Sequence, residues 1–66
     1  MFVVKPRLNA LMKERGLTQM KLSEMSGVPQ SSISRFDRNN QHIDWHLFKI
    51  AKALGVSVED LFEIEE

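Results

Sequence analysis

The sequence predicts a small, compact all-α domain of five helices, and three observations carry that expectation. Each of the three glycines, Gly16, Gly27 and Gly55, closes a segment whose apolar residues recur at helical spacing. The segments before and between them open on residues suited to a cap or a first turn: Pro6, Thr18, Pro29 and Asp44. The connections are about three to six residues long, the length that joins packed helices. At 66 residues the chain has room for one domain, 1–66. A domain of this size buries only about 60% of its unfolded surface, so its core is marginal. The chain has no cysteine, so stability must rest on apolar packing, on association, or on both.

The first helix runs from about Pro6, with Val4, Leu8, Leu11 and Met12 at i, i+4, i+7 and i+8. Arg15 in its last turn suits the helix dipole, and Gly16 lies just past the end. Thr18 reads as the N-cap of a second helix that carries Leu22 and Met25 on one face up to Gly27. Val28-Pro29 opens the third, over about 30–36, with Ile33 and Phe36 as its apolar positions. Pro29 stands where Ser or Thr is usual, so this start depends on proline's fixed φ. Asn39-Asn40-Gln41 is a polar loop. Asp44 can cap a fourth helix with Leu47, Phe48, Ile50, Ala51 and Leu54 inward. Ser57-Val58-Glu59-Asp60 resembles a capping box, with Asp in the usual Glu place, before a short helix Val58–Phe62. Met12, Met20 and Met25 read as core or core edge. The ends, Phe2-Val3-Val4 and Phe62-Glu63-Ile64, are β-prone. They either fray or pair as a short antiparallel ribbon, within one chain or between two.

The composition, 42% apolar and 27% charged, is that of an ordinary globular protein. No apolar run approaches the ~18 residues of a membrane span, and no signal-peptide core opens the sequence, so the expected address is the cytoplasm. The formal net charge is zero, but the charges are segregated. All nine basic residues lie within 1–58, opposed there only by Glu14, Glu24, Asp37 and Asp44, which leaves this body at +5. The tail 59–66 holds Glu59, Asp60, Glu63, Glu65 and Glu66 and stands at −5. Such asymmetry suits an anionic partner for the body, with the tail turned away from it. An enzyme is not expected: cysteine and tyrosine are absent, and no glycine-rich phosphate loop or pocketed carboxylate pair occurs. A helical domain this small has little room for a ligand cavity of ~300 Å³, so no small-molecule ligand or cofactor is expected. His42 and His46 flank Asp44 at i, i+4, but a capping Asp44 and surface histidines explain the pattern better than a metal does.

Residues 18 to 38 are the informative stretch. They read as two short helices joined at a glycine turn, with Gly27 free to adopt positive φ and Ser23 small enough for close approach. Val28 and Ile33 anchor the second helix of the pair, which leaves Gln30, Ser31, Ser34 and Arg35 outward. An amide can pair bidentately with adenine N6 and N7, and a guanidinium with guanine O6 and N7. A helix bearing these groups is suited to reading base edges.

At this point the sequence resembles a known family. Thr-Gln-x-x-Leu-Ser…Gly-Val-x-x-x-x-Ile-Ser…Asp, then Leu-Phe-Lys-Ile-Ala-Lys-Ala-Leu-Gly-Val-Ser-Val-Glu-Asp-Leu-Phe, is similar to the Cro/repressor-type (Xre family) helix-turn-helix domain. The two blocks span about 5–62, with the helix-turn-helix core at about 18–37. The resemblance implies a five-helix, lambda-repressor-like DNA-binding fold. It also implies a transcriptional regulator, often a prophage or mobile-element repressor, that binds double-stranded DNA at palindromic operators as a homodimer. Carried over by position, it implies a phosphate contact at Gln19, which commonly also braces Gln30. It implies base reading by Gln30, Ser31 and Arg35 with Ser34 beside them, and backbone contacts from Arg38 and Asn40. Lys21 reads as a further phosphate contact. Ser23 stands for the usual Ala, and Asp37 and Asn39 for the more frequent Glu and Gly. Trp45 reads as packing over Ile43 or Lys49, or as an indole donor to phosphate.

Ile43, Val56, Val58 and Leu61 would be excess apolar surface for so small a monomer and read as the dimer interface. A second reading, from another class, keeps the same fold as a protein-interaction module, an antitoxin or adaptor with weak DNA binding.

Overall fold

The computed structural model describes residues 2–39 and 41–66. In chain order these form strand β1 (Val3–Pro6), helices α1 (Leu8–Glu14), α2 (Gln19–Ser26) and α3 (Gln30–Arg35), and a 3-10 turn Phe36–Arg38. Helix α4 (Asp44–Leu54), a second 3-10 turn Glu59–Leu61 and strand β2 (Phe62–Glu65) complete the order. Among the described residues the fold is therefore mostly helical, with four α-helices and a short two-stranded sheet rather than five helices.

The core is formed by Leu8, Leu11 and Met12 of α1, Leu22 of α2, Val28, Ile33, Phe36, then Ile50, Ala51 and Leu54 of α4, and Leu61. Full burial of a side chain such as Ile33 or Leu22 stabilises by about 1.5–3 kcal/mol. Phe48, expected inward, is 65% exposed. The buried stripe of α4 is centred on Ile50 and Leu54, and Phe48 lies about 160° around the helix from Ile50. Met20 and Met25 are also exposed, and only Met12 of the three methionines joins the core. His46, expected at the surface, is buried, and His42 is half-buried.

Several starts differ from expectation for local reasons. Pro6 belongs to β1, and α1 begins two residues later at Leu8, leaving Val4 in the strand. Asp44 is the first residue of α4 and makes no capping bond; its charge still suits the helix's positive end. The Ser57–Asp60 box closes in both directions, with Ser57 N–H on Asp60 Oδ2 at 3.2 Å and Asp60 N–H on Ser57 Oγ at 3.3 Å. It starts only a 3-10 turn, because Phe62 leaves in an extended conformation, φ −129° and ψ 152°, and pairs with Pro6.

The β-prone ends do not fray. They pair antiparallel within the chain, Val3 with Glu65, Val4 with Ile64, Lys5 with Glu63 and Pro6 with Phe62. Arg7 extends the join: its N–H donates to Leu61 O at 2.9 Å and its Nε to Asp60 O at 3.1 Å. Among the described residues no helix is long and apolar enough to cross a membrane.

Candidate nucleic-acid interface

Helix α2 starts as its sequence dictates. Thr18 Oγ1 accepts from Lys21 N–H at 3.1 Å, satisfying one of the unpaired first-turn donors. It ends at Gly27, whose φ of +76° lies in the left-handed region and whose N–H returns to Ser23 O at 2.9 Å. An L side chain there would cost about 1–2 kcal/mol. Two serine hydroxyls bind the turn. Ser23 Oγ donates to Val28 O at 2.7 Å, which satisfies the hydroxyl carried in place of a methyl. Ser26 Oγ donates to Leu22 O at 2.7 Å and accepts from Val28 N–H at 3.2 Å. Val28 is thereby held by both main-chain groups, and Pro29, at φ −56°, sends α3 off with its carbonyl accepting from Ser32 and Ile33.

Helix α3 has six residues, too few to be stable alone in water. Ile33 and Phe36, both buried, fasten it to the core. Gln30, Ser31, Ser34 and Arg35 fall within about 140° of arc on the opposite side. Gln30, Ser31 and Arg35 are exposed; Ser34 is half-buried, as is Ser32. Lys21 and Arg38 are exposed and Gln19 is half-buried. Among the described residues no hydrogen bond joins Gln19 to Gln30, so the brace implied by the resemblance is absent here. Asn40 lies outside the described residues.

Three contacts that no local sequence pattern signals fix the far end of α3. Asp37, in the turn that follows, accepts from Leu8 N–H at 2.8 Å and Asn9 N–H at 2.9 Å, and so caps α1 from 28 and 29 residues away. His42 donates through Nε2 to Phe36 O at 2.7 Å, and its ring stacks on Phe36 with centroids 4.1 Å apart. Phe62 closes the cluster at 6.0 Å from Phe36 and 5.8 Å from His42. Beside the loop, Lys49 Nζ lies 5.2 Å from the Trp45 ring centroid, the packing expected for that indole. Among the described residues no group of three or more metal-ligating side chains occurs; His42 is engaged with Phe36 O and His46 is buried against Trp45.

A capped helix, a left-handed glycine, and a second helix with one buried and one free polar face make a helix-turn-helix. The family model for the Cro/C1-type HTH DNA-binding domain matches residues 7–66. The chain belongs to that family. No curated protein and no solved structure gives a significant match. As a Cro/C1-type domain the chain is a DNA-binding domain with α2 and α3 as its helix-turn-helix, and β1 lies wholly before the matched region.

Of the apolar residues expected between subunits, Leu61 is 0% exposed and belongs to the core of one Cro/C1-type domain. Val56 and Val58 are half-buried against that core, and Ile43 is exposed. Phe48, Ala51, Lys52, Val56, Ser57 and Val58 line an open groove on this side.

Proposed function

We propose that this Cro/C1-type domain is a sequence-specific transcriptional regulator, a repressor of prophage or mobile-element type, that reads the major groove with α3. The observation that carries the reading is the free polar face of α3. The side chains of Gln30, Ser31 and Arg35 are exposed and, among the described residues, make no hydrogen bond within the chain. Their donors and acceptors remain available for base edges. Ser34 lies within that face and, being half-buried, is the flanking contact. Gln19, Lys21, Arg38 and Asn40 are the proposed phosphate contacts, which set register and contribute salt-dependent affinity.

The proposed working form is a homodimer on a palindromic operator, with two copies of α3 in successive major grooves about 34–36 Å apart. Ile43, Val56 and Val58 remain the proposed subunit contact, joined by the exposed Phe48, while Leu61 supports them from the core. Repression follows from occupying DNA that polymerase needs. The test is enrichment of bound sites from random-sequence duplexes at low salt. Recovery of a palindromic motif is the expected result; recovery of no motif at all would overturn the regulator reading.

A further inference from the structure

The apolar face of the β1–β2 ribbon extends past the helical body. Phe62 and Pro6 are half-buried where the ribbon leaves the core. Beyond them Val4 and Ile64, directly opposite each other on the same face, are exposed, and so is Phe2 two residues further along. A two-stranded ribbon is at best marginally stable by itself in water and needs further strands or packing against helices. Phe62 packs the inner end on the core, whereas the Val4–Ile64 pair is exposed.

The phase of the ladder determines which edge can take them. Arg7 N–H donates to Leu61 O, one step past the Pro6–Phe62 pair, so Arg7 and Leu61 stand in the phase of a hydrogen-bonded pair, although Leu61 N–H itself goes to Val58 O. Such pairs alternate in an antiparallel ladder. Lys5–Glu63 and Val3–Glu65 therefore bond inside the ribbon, while Val4 and Ile64 turn their N–H and C=O toward the two free edges. Pro6 also falls in an outward position, so its missing N–H takes nothing from the ribbon. Charge then separates the edges. Pairing β2 with β2 of another copy about Ile64 sets Glu63 against Glu65 twice, like charges directly opposed. Pairing β1 with β1 about Val4 sets Val3 against Lys5 and Phe2 against Pro6, with no like charges opposed.

We propose that the free edge of β1 docks a second copy of this chain, the two β1 strands pairing antiparallel about Val4 into a four-stranded sheet. Each Val4 N–H donates to the other Val4 carbonyl, and each Phe2 N–H to the other Pro6 carbonyl. The uncovered side chains of the two overhangs become neighbours across the join. The contact is isologous, does not depend on DNA, and is separate from the α4 groove. A protein using both surfaces links dimers in a row.

Sedimentation of the full chain over micromolar concentrations tests this, with thermal melting followed by circular dichroism. Val4→Pro removes an outward N–H and leaves the ribbon's own bonds in place; it should weaken one association step at least about tenfold with melting little changed. Ile64→Pro makes the same change on the β2 edge and should associate like the parent. Val3→Lys sets a cation opposite Glu65 of its own ribbon but opposite Lys5 of the other copy. Its melting should hold or rise while its association weakens, a combination that unfolding does not produce. The proposal is overturned by parent-like association of Val3→Lys or of a folded Val4→Pro, or by equal losses in Val4→Pro and Ile64→Pro. A parent that shows no association is equally fatal to it. Enrichment of a DNA motif is read separately, so the two ideas can fail independently.

Discussion

Gln30 and Arg35 carry the two side-chain groups best matched to base edges, an amide and a guanidinium, and both are exposed on α3. Replacing either by Ala should cost about 1–3 kcal/mol at particular base pairs, whereas Lys21→Ala should weaken all sequences alike and flatten the salt dependence by about one unit. Binding titrations on matched and mismatched duplexes at several salt concentrations check this; equal losses on every sequence for all three variants would remove the base-reading assignment. These residues were legible because their pattern is local: Ile33 and Phe36 mark the inner face, and the outer face follows from helical periodicity. Ser34 was less legible, since periodicity places it within that face and yet it is half-buried. Burial of His46 was barely legible. Histidine has no strong preference for either side, and only the position of Ile50 four residues later on α4 indicates that it faces inward.

The elements hold one another at their ends. Helix α1 has no capping side chain of its own, and Arg7 at its N-cap makes no such bond. The first two N–H groups of α1 are satisfied by Asp37, in the turn that ends α3. Asp37→Ala should therefore destabilise the fold by about 1–2 kcal/mol, measured by urea denaturation, although Asp37 lies on no helix that it caps. A variant as stable as the parent would show that water replaces the carboxylate at no cost. The sequence places α2, its Thr18 cap and its Gly27 turn correctly because each signal lies within the element. It cannot show a cap supplied across 28 or 29 residues, and the choice of Asp over Glu at position 37 reads as a departure until Leu8 and Asn9 are seen beside it. The same limit applies to α4. Counting apolar residues turns Phe48 inward, and only the packing of Ile50 and Leu54 sets the phase that exposes it.

For the whole molecule, zero net charge is an average over a basic body and an acidic end, and that end is folded. Glu63 stands opposite Lys5 in the ribbon, and Asp60 belongs to the turn that Arg7 grips. The marginal core is a reason to propose association, and the exposed Phe48 is the place proposed for it. Phe48→Ser should weaken the proposed dimer by about 2 kcal/mol or more while changing fold stability by less than about 0.5 kcal/mol. Sedimentation read beside urea denaturation checks both halves, and an unchanged dimer would move the subunit contact away from α4. Pairing of the ends was left open by the sequence because four-residue strands carry too little pattern to outweigh fraying; the partner strand lies some sixty positions away. That pairing also sets where attachments leave. Val3 faces Glu65, so polypeptide joined before β1 and polypeptide joined after β2 depart side by side, their roots about 5 Å apart. An Asn-Gly turn is enough to bridge such a gap. The backbone is thus close to a closed ring, and sealing it would leave the helices untouched while taking freedom from the unfolded chain.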